Sequence, residues 1–232
     1  MRKELEALLA LQKQDLELKA LEEKIAGLHK HRETLEAAIA KEKATVDGEK
    51  KQLDDLKKKS RDLSLEVDTL DEHIRNDEKK LKEGLMSYKE MEAYRERVDH
   101  DRKRMDHLED EAIALMNQAE MREADYKNKE AEFLKWKSKI DAEIQEIDQS
   151  VNQQRQRVTQ AQANRAHLLQ SVDPVLLKRY QQLREDYDDP LAALRSGVCS
   201  GCKLGLSEIT IERVREGSEV VSCEHCSRIL YA

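Results

Sequence analysis

From Leu11 to Leu81, apolar side chains recur in alternating steps of three and four residues. Leu11, Leu18, Ile25, Ile39, Val46, Leu53, Val67, Ile74 and Leu81 fall seven or fourteen apart, and Leu21, Leu28, Leu35, Leu56, Leu63 and Leu70 follow members of that row by three. The positions between them are Lys, Glu, Asp, Arg and Gln. A repeat averaging 3.5 residues keeps one apolar stripe facing one partner, which is the a/d seam of a coiled coil. Arg32, Glu42, Glu49 and Ser60 interrupt the seam and read as register-setting positions. A helix over residues 3–77 would be about 110 Å long and needs a partner along its whole length.

The chain supplies that partner. Between residues 88 and 170 there is neither Gly nor Pro, and a second seam runs through Met91, Tyr94, Val98, Met105, Leu108, Ala112, Leu115, Ala119, Tyr126, Phe133, Trp136 and Ile140. It continues as Ile144, Ile147, Val151, Val158, Ala161 and Leu168, with consecutive four-residue steps that mark a stutter. Gly84 sits midway between the arms. An antiparallel hairpin follows, with its tip near residues 78–87 and residue i facing roughly 164 − i. A parallel homodimer of extended helices would leave Gly84 and the Asp77-Glu78-Lys79-Lys80 run unexplained. Leu5, Leu8, Leu9 and Leu11 lie out of phase with the later seam, so that face is expected to pack on the segment after residue 174.

Asp173 before Pro174 reads as an N-cap followed by proline at the first helical position. Val175, Leu176, Tyr180 and Leu183 then give a short amphipathic helix, which Asp186-Tyr187-Asp188-Asp189-Pro190 ends. The expected organisation is a coiled-coil hairpin over 1–172, a short helix and linker over 173–190, and a small cysteine-bearing unit over 191–232. The fold class is mainly α, a long antiparallel coiled-coil hairpin with a small C-terminal β zinc ribbon.

Charged residues make up 39% of the chain and aromatic ones 3%, and mean hydropathy is −0.86. That is the composition of a helical rod, with little closed core to hold a small-molecule pocket. The net charge of −7 disfavours general nucleic-acid binding. No stretch is long and apolar enough for a membrane span or a secretory signal, so a cytoplasmic protein is expected.

All four cysteines fall near the C-terminus, as Cys199-Ser200-Gly201-Cys202 and Cys223-Glu224-His225-Cys226. Paired Cys-x-x-Cys knuckles in a chain without an export signal point to one tetrahedral Zn2+ held by Cys199, Cys202, Cys223 and Cys226. Four thiolates leave no place for water, so the ion is expected to be structural, and it supplies folding free energy that so small a unit lacks. His225 lies inside the second knuckle and is expected to be exposed. The β-prone runs Ile209–Arg215 and Glu219–Ser222, separated by Gly217, predict ribbon strands, with Arg228–Tyr231 as another.

Two surfaces are candidates for partners. Leu85, Met86 and Tyr88 place apolar side chains at the tip of a rod, where little core can receive them. From Gln149 to Val172 there is no acidic residue, while Arg155, Arg157 and Arg165 are present, which would suit phosphates. The Lys127, Lys129, Lys135, Lys137 and Lys139 cluster reads instead as a solvated face matched by Glu and Asp on the neighbouring helix.

The tip residues Tyr88, Lys89 and Glu90, the Leu108-Glu109-Asp110-Glu111 run, and the ending Gly197–Cys202 with Cys223–Tyr231 resemble a bacterial family of coiled-coil proteins with a C-terminal four-cysteine zinc ribbon. That family includes a flagellar-biogenesis chaperone of sigma factor RpoN. The family's proline pair after the first knuckle is replaced here by Leu206-Ser207-Glu208, and its glycine after the last cysteine by Ser227. The resemblance implies a non-enzymatic, chaperone-like adaptor that binds RpoN or RNA polymerase, with a link to flagellar regulation. Monomer or weak homodimer is expected, with no small-molecule substrate; the alternative is an RNA- or DNA-binding protein acting through the basic stretch and the ribbon.

Overall fold

The computed structural model describes every residue except Met1 and Leu85, and of Arg2 the backbone alone. Two long helices, α1 (Arg2–Glu83) and α2 (Tyr88–Ser171), are followed by α3 (Pro174–Asp186), β1 (Leu191–Arg195), β2 (Val198–Cys199), α4 (Glu208–Glu216), β3 (Val221–Ser222) and β4 (Ile229–Tyr231). The chain divides into a middle unit, residues 34–143, and a terminal unit, residues 1–33 with 144–232.

In the middle unit α1 and α2 run antiparallel over the expected seam. Val46, Leu53, Leu70 and Ile74 are buried from one helix, and Val98, Ala112 and Ala119 from the other. Small side chains at Ser60 and Ala112 let the backbones approach, and the Ser60 hydroxyl donates to the Ala112 carbonyl at 3.3 Å. Its burial without an orphaned hydroxyl explains how a polar residue sits in the seam. Ion pairs flank it: Lys57 with Glu123 at 2.6 Å, Lys129 with Glu49 at 2.5 Å, and Arg104 with Glu66.

These partners correct the expected register. A rule of 164 − i would face Glu66 with Val98 and Asp77 with Ser87, whereas Glu66 meets Arg104 and Asp77 meets Arg97. The reason lies at the turn. Helix α1 continues through Glu83, Gly84 takes a left-handed φ of 66°, and α2 begins only at Tyr88. A capping box sets that start: the Ser87 amide and hydroxyl donate to Glu90 Oε2 at 2.8 and 2.7 Å, and the Glu90 amide donates to Ser87 Oγ at 3.4 Å. The turn therefore falls between Glu83 and Tyr88, at the late end of the 78–87 region that the seam indicated.

In the terminal unit the out-of-phase leucines find the partner expected of them. Leu8 and Leu11 are fully buried with Val172, Tyr180, Leu191 and Ile229, and Leu5 and Leu9 pack at the edge. Helix α3 starts as predicted, the Asp173 carboxylate accepting from the amides of Val175 and Leu176. Asp15, only 2% exposed, lies beneath this core. It accepts hydrogen bonds from Arg165 Nε at 2.5 Å and Tyr180 Oη at 2.7 Å, and pairs with Arg184 at 3.0 Å. Burial, then the hydrogen bond to this carboxylate, pushes the Tyr180 hydroxyl well above its ordinary pKa. Gln12 completes the attachment: its side-chain amide donates to the Leu191 carbonyl at 3.1 Å and accepts from the Leu191 amide at 2.6 Å.

The strands form one sheet in the order β2-β1-β4-β3, with β1 and β4 parallel and the outer pairs antiparallel. Strand β4 matches expectation. The Ile209–Arg215 run does not: it is the helix α4. Ser207 caps it by accepting from the Thr210 amide, Glu208 lies in its first turn, and Gly217 ends it with φ 60°. Thr210 and Val214, four apart, are buried, while Ile209 is 70% exposed. Capping and an i, i+4 buried pair thus override the β-propensity of two isoleucines, a threonine and a valine.

Candidate metal centre

Each half of the site is built by a tight turn. In the first, the Lys203 amide donates to the Cys199 carbonyl at 2.9 Å and Lys203 has φ 64°; in the second, Ser227 donates to Cys223 at 3.0 Å with φ 60°. Both residues lie one after the second cysteine of a pair. Ser227 therefore adopts a conformation that glycine takes at lower cost, which accounts for the glycine in the resembling pattern. The turns aim amide groups at sulfur: Cys202 and Gly201 at Cys199, and His225 and Cys226 at Cys223.

The four Sγ atoms all lie within 4.8 Å of one another. Cys199 and Cys226 are 4.0 Å apart, and Cys202 and Cys223 are 3.7 Å apart. A tetrahedral ion with ~2.3 Å bonds to sulfur separates its ligands by about 3.8 Å, whereas a disulfide would need ~2.05 Å. The donor set and its spacing fit Zn2+, and a shell of four thiolates makes the ion structural. Burial pushes the Cys199 thiol up, and the Cys223 thiol up to about 12. At Cys226 burial is outweighed by the amide and guanidinium of Arg228, which bring it down to about 7. A divalent ion is what allows so crowded a set to stay deprotonated, so zinc binding releases protons.

Arg228 is the residue that sequence reasoning passed over, reading it only as the start of a strand. Its guanidinium lies 3.7 Å over the Tyr187 ring, donates to the Asp189 carboxylate at 2.8 Å and carbonyl at 2.9 Å, and hydrogen-bonds Cys226. A Cβ at Gly201 would come within 2.7 Å of the Arg228 Cδ, so glycine makes room for this side chain in the first knuckle. The signal lies in Tyr187 and Asp189, whose local pattern shows only a helix end. Glu224, inside the second knuckle, accepts from the hydroxyls of Ser207 and Thr210, tying α4 to the site. His225 is exposed and its Nε2 meets the Gly205 carbonyl at 2.9 Å, outside the sulfur cluster.

The other singled-out residues fall in different places. Tyr88 is 75% exposed, Met86 is half-buried, and Leu85 lies outside the described residues. Arg155 and Arg157 are exposed, Arg157 lying 3.6 Å from Glu17, whereas Arg165 is committed to the buried Asp15. The three arginines therefore do not form one free basic surface. In the lysine cluster, Lys129 pairs with Glu49 of the neighbouring helix as expected, whereas Lys127 and Lys137 pair one turn away with Glu123 and Asp141 of α2 itself. No helix among the described residues is long and apolar enough to cross a membrane.

A long helical hairpin joined to a C4 zinc ribbon is the class of protein that this fold and site define. Residues 11–188 match the family described as a CT398-like coiled-coil hairpin domain, and residues 198–230 match a C4-type zinc ribbon domain. The chain belongs to that CT398-like family. Among solved structures it is similar to CT398 from Chlamydia trachomatis, with TM-score 0.86 and 22% identity over 100% of this chain and 98% of that one. A protein from Mycobacterium smegmatis gives TM-score 0.82 and 18% identity over 99% and 97%. HP0958 from Helicobacter pylori gives TM-score 0.53 at 18% identity, again over 99% and 97%. At these identities the likeness is one of fold. No curated protein matches.

Proposed function

We propose that this protein is a non-enzymatic, chaperone-like adaptor that presents its hairpin tip and its zinc ribbon to protein partners of the transcription machinery. The observation that carries this reading is Tyr88. It is the first residue of α2, 75% exposed, directly after the Ser87 of the capping box that starts the helix. A large exposed aromatic with Met86 two residues before it is what a docking surface uses. The closed thiolate shell suits a structural ion rather than a reaction centre.

The finer reading, a sigma factor of the RpoN type or RNA polymerase as partner, and through it flagellar regulation, rests on the family resemblance of the tip and ribbon residues. Binding of the purified chain to RpoN-type sigma factor and to core polymerase tests it by biolayer interferometry. The Met86→Ala/Tyr88→Ala variant is expected to lose about tenfold or more in affinity. Equal binding by the variant would place docking on the ribbon, and no binding of the native chain to either protein would overturn the transcription link.

A further inference from the structure

The middle unit contains a groove of about 580 Å³ lined by Glu42, Thr45, Val46 and Glu49 from α1 and by Lys129, Glu132, Phe133 and Trp136 from α2. Its floor is unusual for this chain. Phe133 and Trp136 are the one phenylalanine and the one tryptophan in the sequence, and their ring centroids lie 6.2 Å apart. They occupy seam positions of α2, while the α1 side of the groove carries glutamates at two seam positions, Glu42 and Glu49, on either side of the buried Val46. Two rings facing two carboxylates do not close a coiled-coil core, so the seam opens there.

The charge of the groove selects an occupant. Lys129, the cation in its lining, is neutralised by Glu49 at 2.5 Å. Glu42 and Glu132 have no hydrogen-bond or ion-pair partner among the described residues, leaving two free carboxylates around an aromatic floor. A neutral apolar ligand would cover the rings but strip water from the carboxylates, and an anion would be repelled. A planar guanidinium on an apolar stem satisfies both surfaces.

The chain makes that arrangement twice with its own arginines. Arg97 lies 4.7 Å over the Tyr94 ring and 3.5 Å from the Asp77 carboxylate. Arg228 lies 3.7 Å over Tyr187 and 2.8 Å from Asp189. The Phe133–Trp136 groove has the aromatic and acidic parts of the same motif and lacks the arginine. We propose that it is a docking site for an arginine side chain on a segment of a partner protein. This site is separate from the tip and the ribbon, and it stands whether or not either of those binds a partner.

Because Trp136 is the lone tryptophan, its emission reports on the groove in the native, zinc-loaded chain. The probe is a capped pentapeptide with one arginine flanked by leucines, beside its citrulline analogue, which has nearly the same shape and no charge. A saturable change in Trp136 emission is expected with the arginine peptide, weakening with salt and about fivefold or more weaker with citrulline. Glu42→Gln/Glu132→Gln, which leaves the Glu49–Lys129 pair intact, is expected to weaken the arginine peptide about tenfold. Phe133→Leu is expected to weaken it about two- to fivefold. Circular dichroism of each variant checks that the helices are retained. No saturable change, equal binding of the citrulline peptide, or a Glu42→Gln/Glu132→Gln variant that folds and binds like the native chain would each overturn the proposal.

Discussion

Two carboxylates show how differently the two units are held together. Asp15 in the terminal unit is buried, and its oxygens are shared among Arg165, Tyr180 and Arg184, drawn from α2 and α3. Glu123 in the middle unit is partly exposed, paired with Lys57 across the hairpin at 2.6 Å and with Lys127 one turn away at 2.8 Å. Around Asp15 lie fully buried Leu8, Leu11 and Tyr180 and, packed with them, Leu191 and Ile229 of the sheet; around Glu123 the burial is a single seam. A seam is repetitive, so losing one contact leaves its neighbours in place. A convergent core has no such redundancy, and its parts should fail together.

The largest effect is expected from metal removal. With a zinc chelator, or in a Cys223→Ser variant, the ribbon should lose its amide exchange protection over residues 191–232, because the ion supplies its folding free energy. Amides at Val46, Leu53 and Ala119 should keep theirs, as followed by hydrogen exchange and mass spectrometry. Simultaneous loss of protection in both units would contradict the division.

Asp15→Ala comes next. It leaves two arginines and a tyrosine hydroxyl without their shared acceptor, and is expected to cost the terminal unit about 3–5 kcal/mol. Urea unfolding followed by exchange protection at Leu11 and Tyr180 would measure it. A cost near zero would mean that α3 is held by its apolar face alone.

The smallest effect belongs to Glu123. Hydrogen bonds from Lys127 and Lys57 hold its carboxyl down at about 2, below the ordinary 4.5. A depressed pKa stabilises the folded form above the ordinary value, and that contribution is lost as pH falls through about 2. Carboxyl NMR titration should therefore show Glu123 ionised well below its free value, and Lys57→Met/Lys127→Met should return its midpoint toward 4.5. The helical signal should barely change between pH 7 and pH 4, since Glu123 and its two lysines stay ionised over that range.

Much of this architecture was legible from local pattern. The heptads over Leu11–Leu81 and Met91–Ile140 named the helices, Asp173-Pro174 named the start of α3, and the off-phase Leu5, Leu8 and Leu9 named a second packing partner. Seam periodicity located the turn within residues 78–87 but left the register open by several residues, which the Ser87–Glu90 capping box settles by starting α2 at Tyr88. The β-propensity of Ile209–Arg215 points to a strand, whereas the caps at Ser207 and Gly217 decide for a helix.

By itself the sequence determined the hairpin and the four ligands, since seam periodicity and Cys-x-x-Cys spacing are properties of short stretches whose geometry is nearly the same in any fold. Only the tertiary structure decided what surrounds them. Gln12 meets Leu191, Asp15 meets Arg165 and Tyr180, and Arg228 lies between Tyr187, Asp189 and Cys226. Most of those contacts join residues far apart in the chain, and even the nearer ones depend on how β1 and β4 are paired. A buried polar partner is chosen by whatever the packed elements bring within hydrogen-bond reach, and no local spacing encodes that choice.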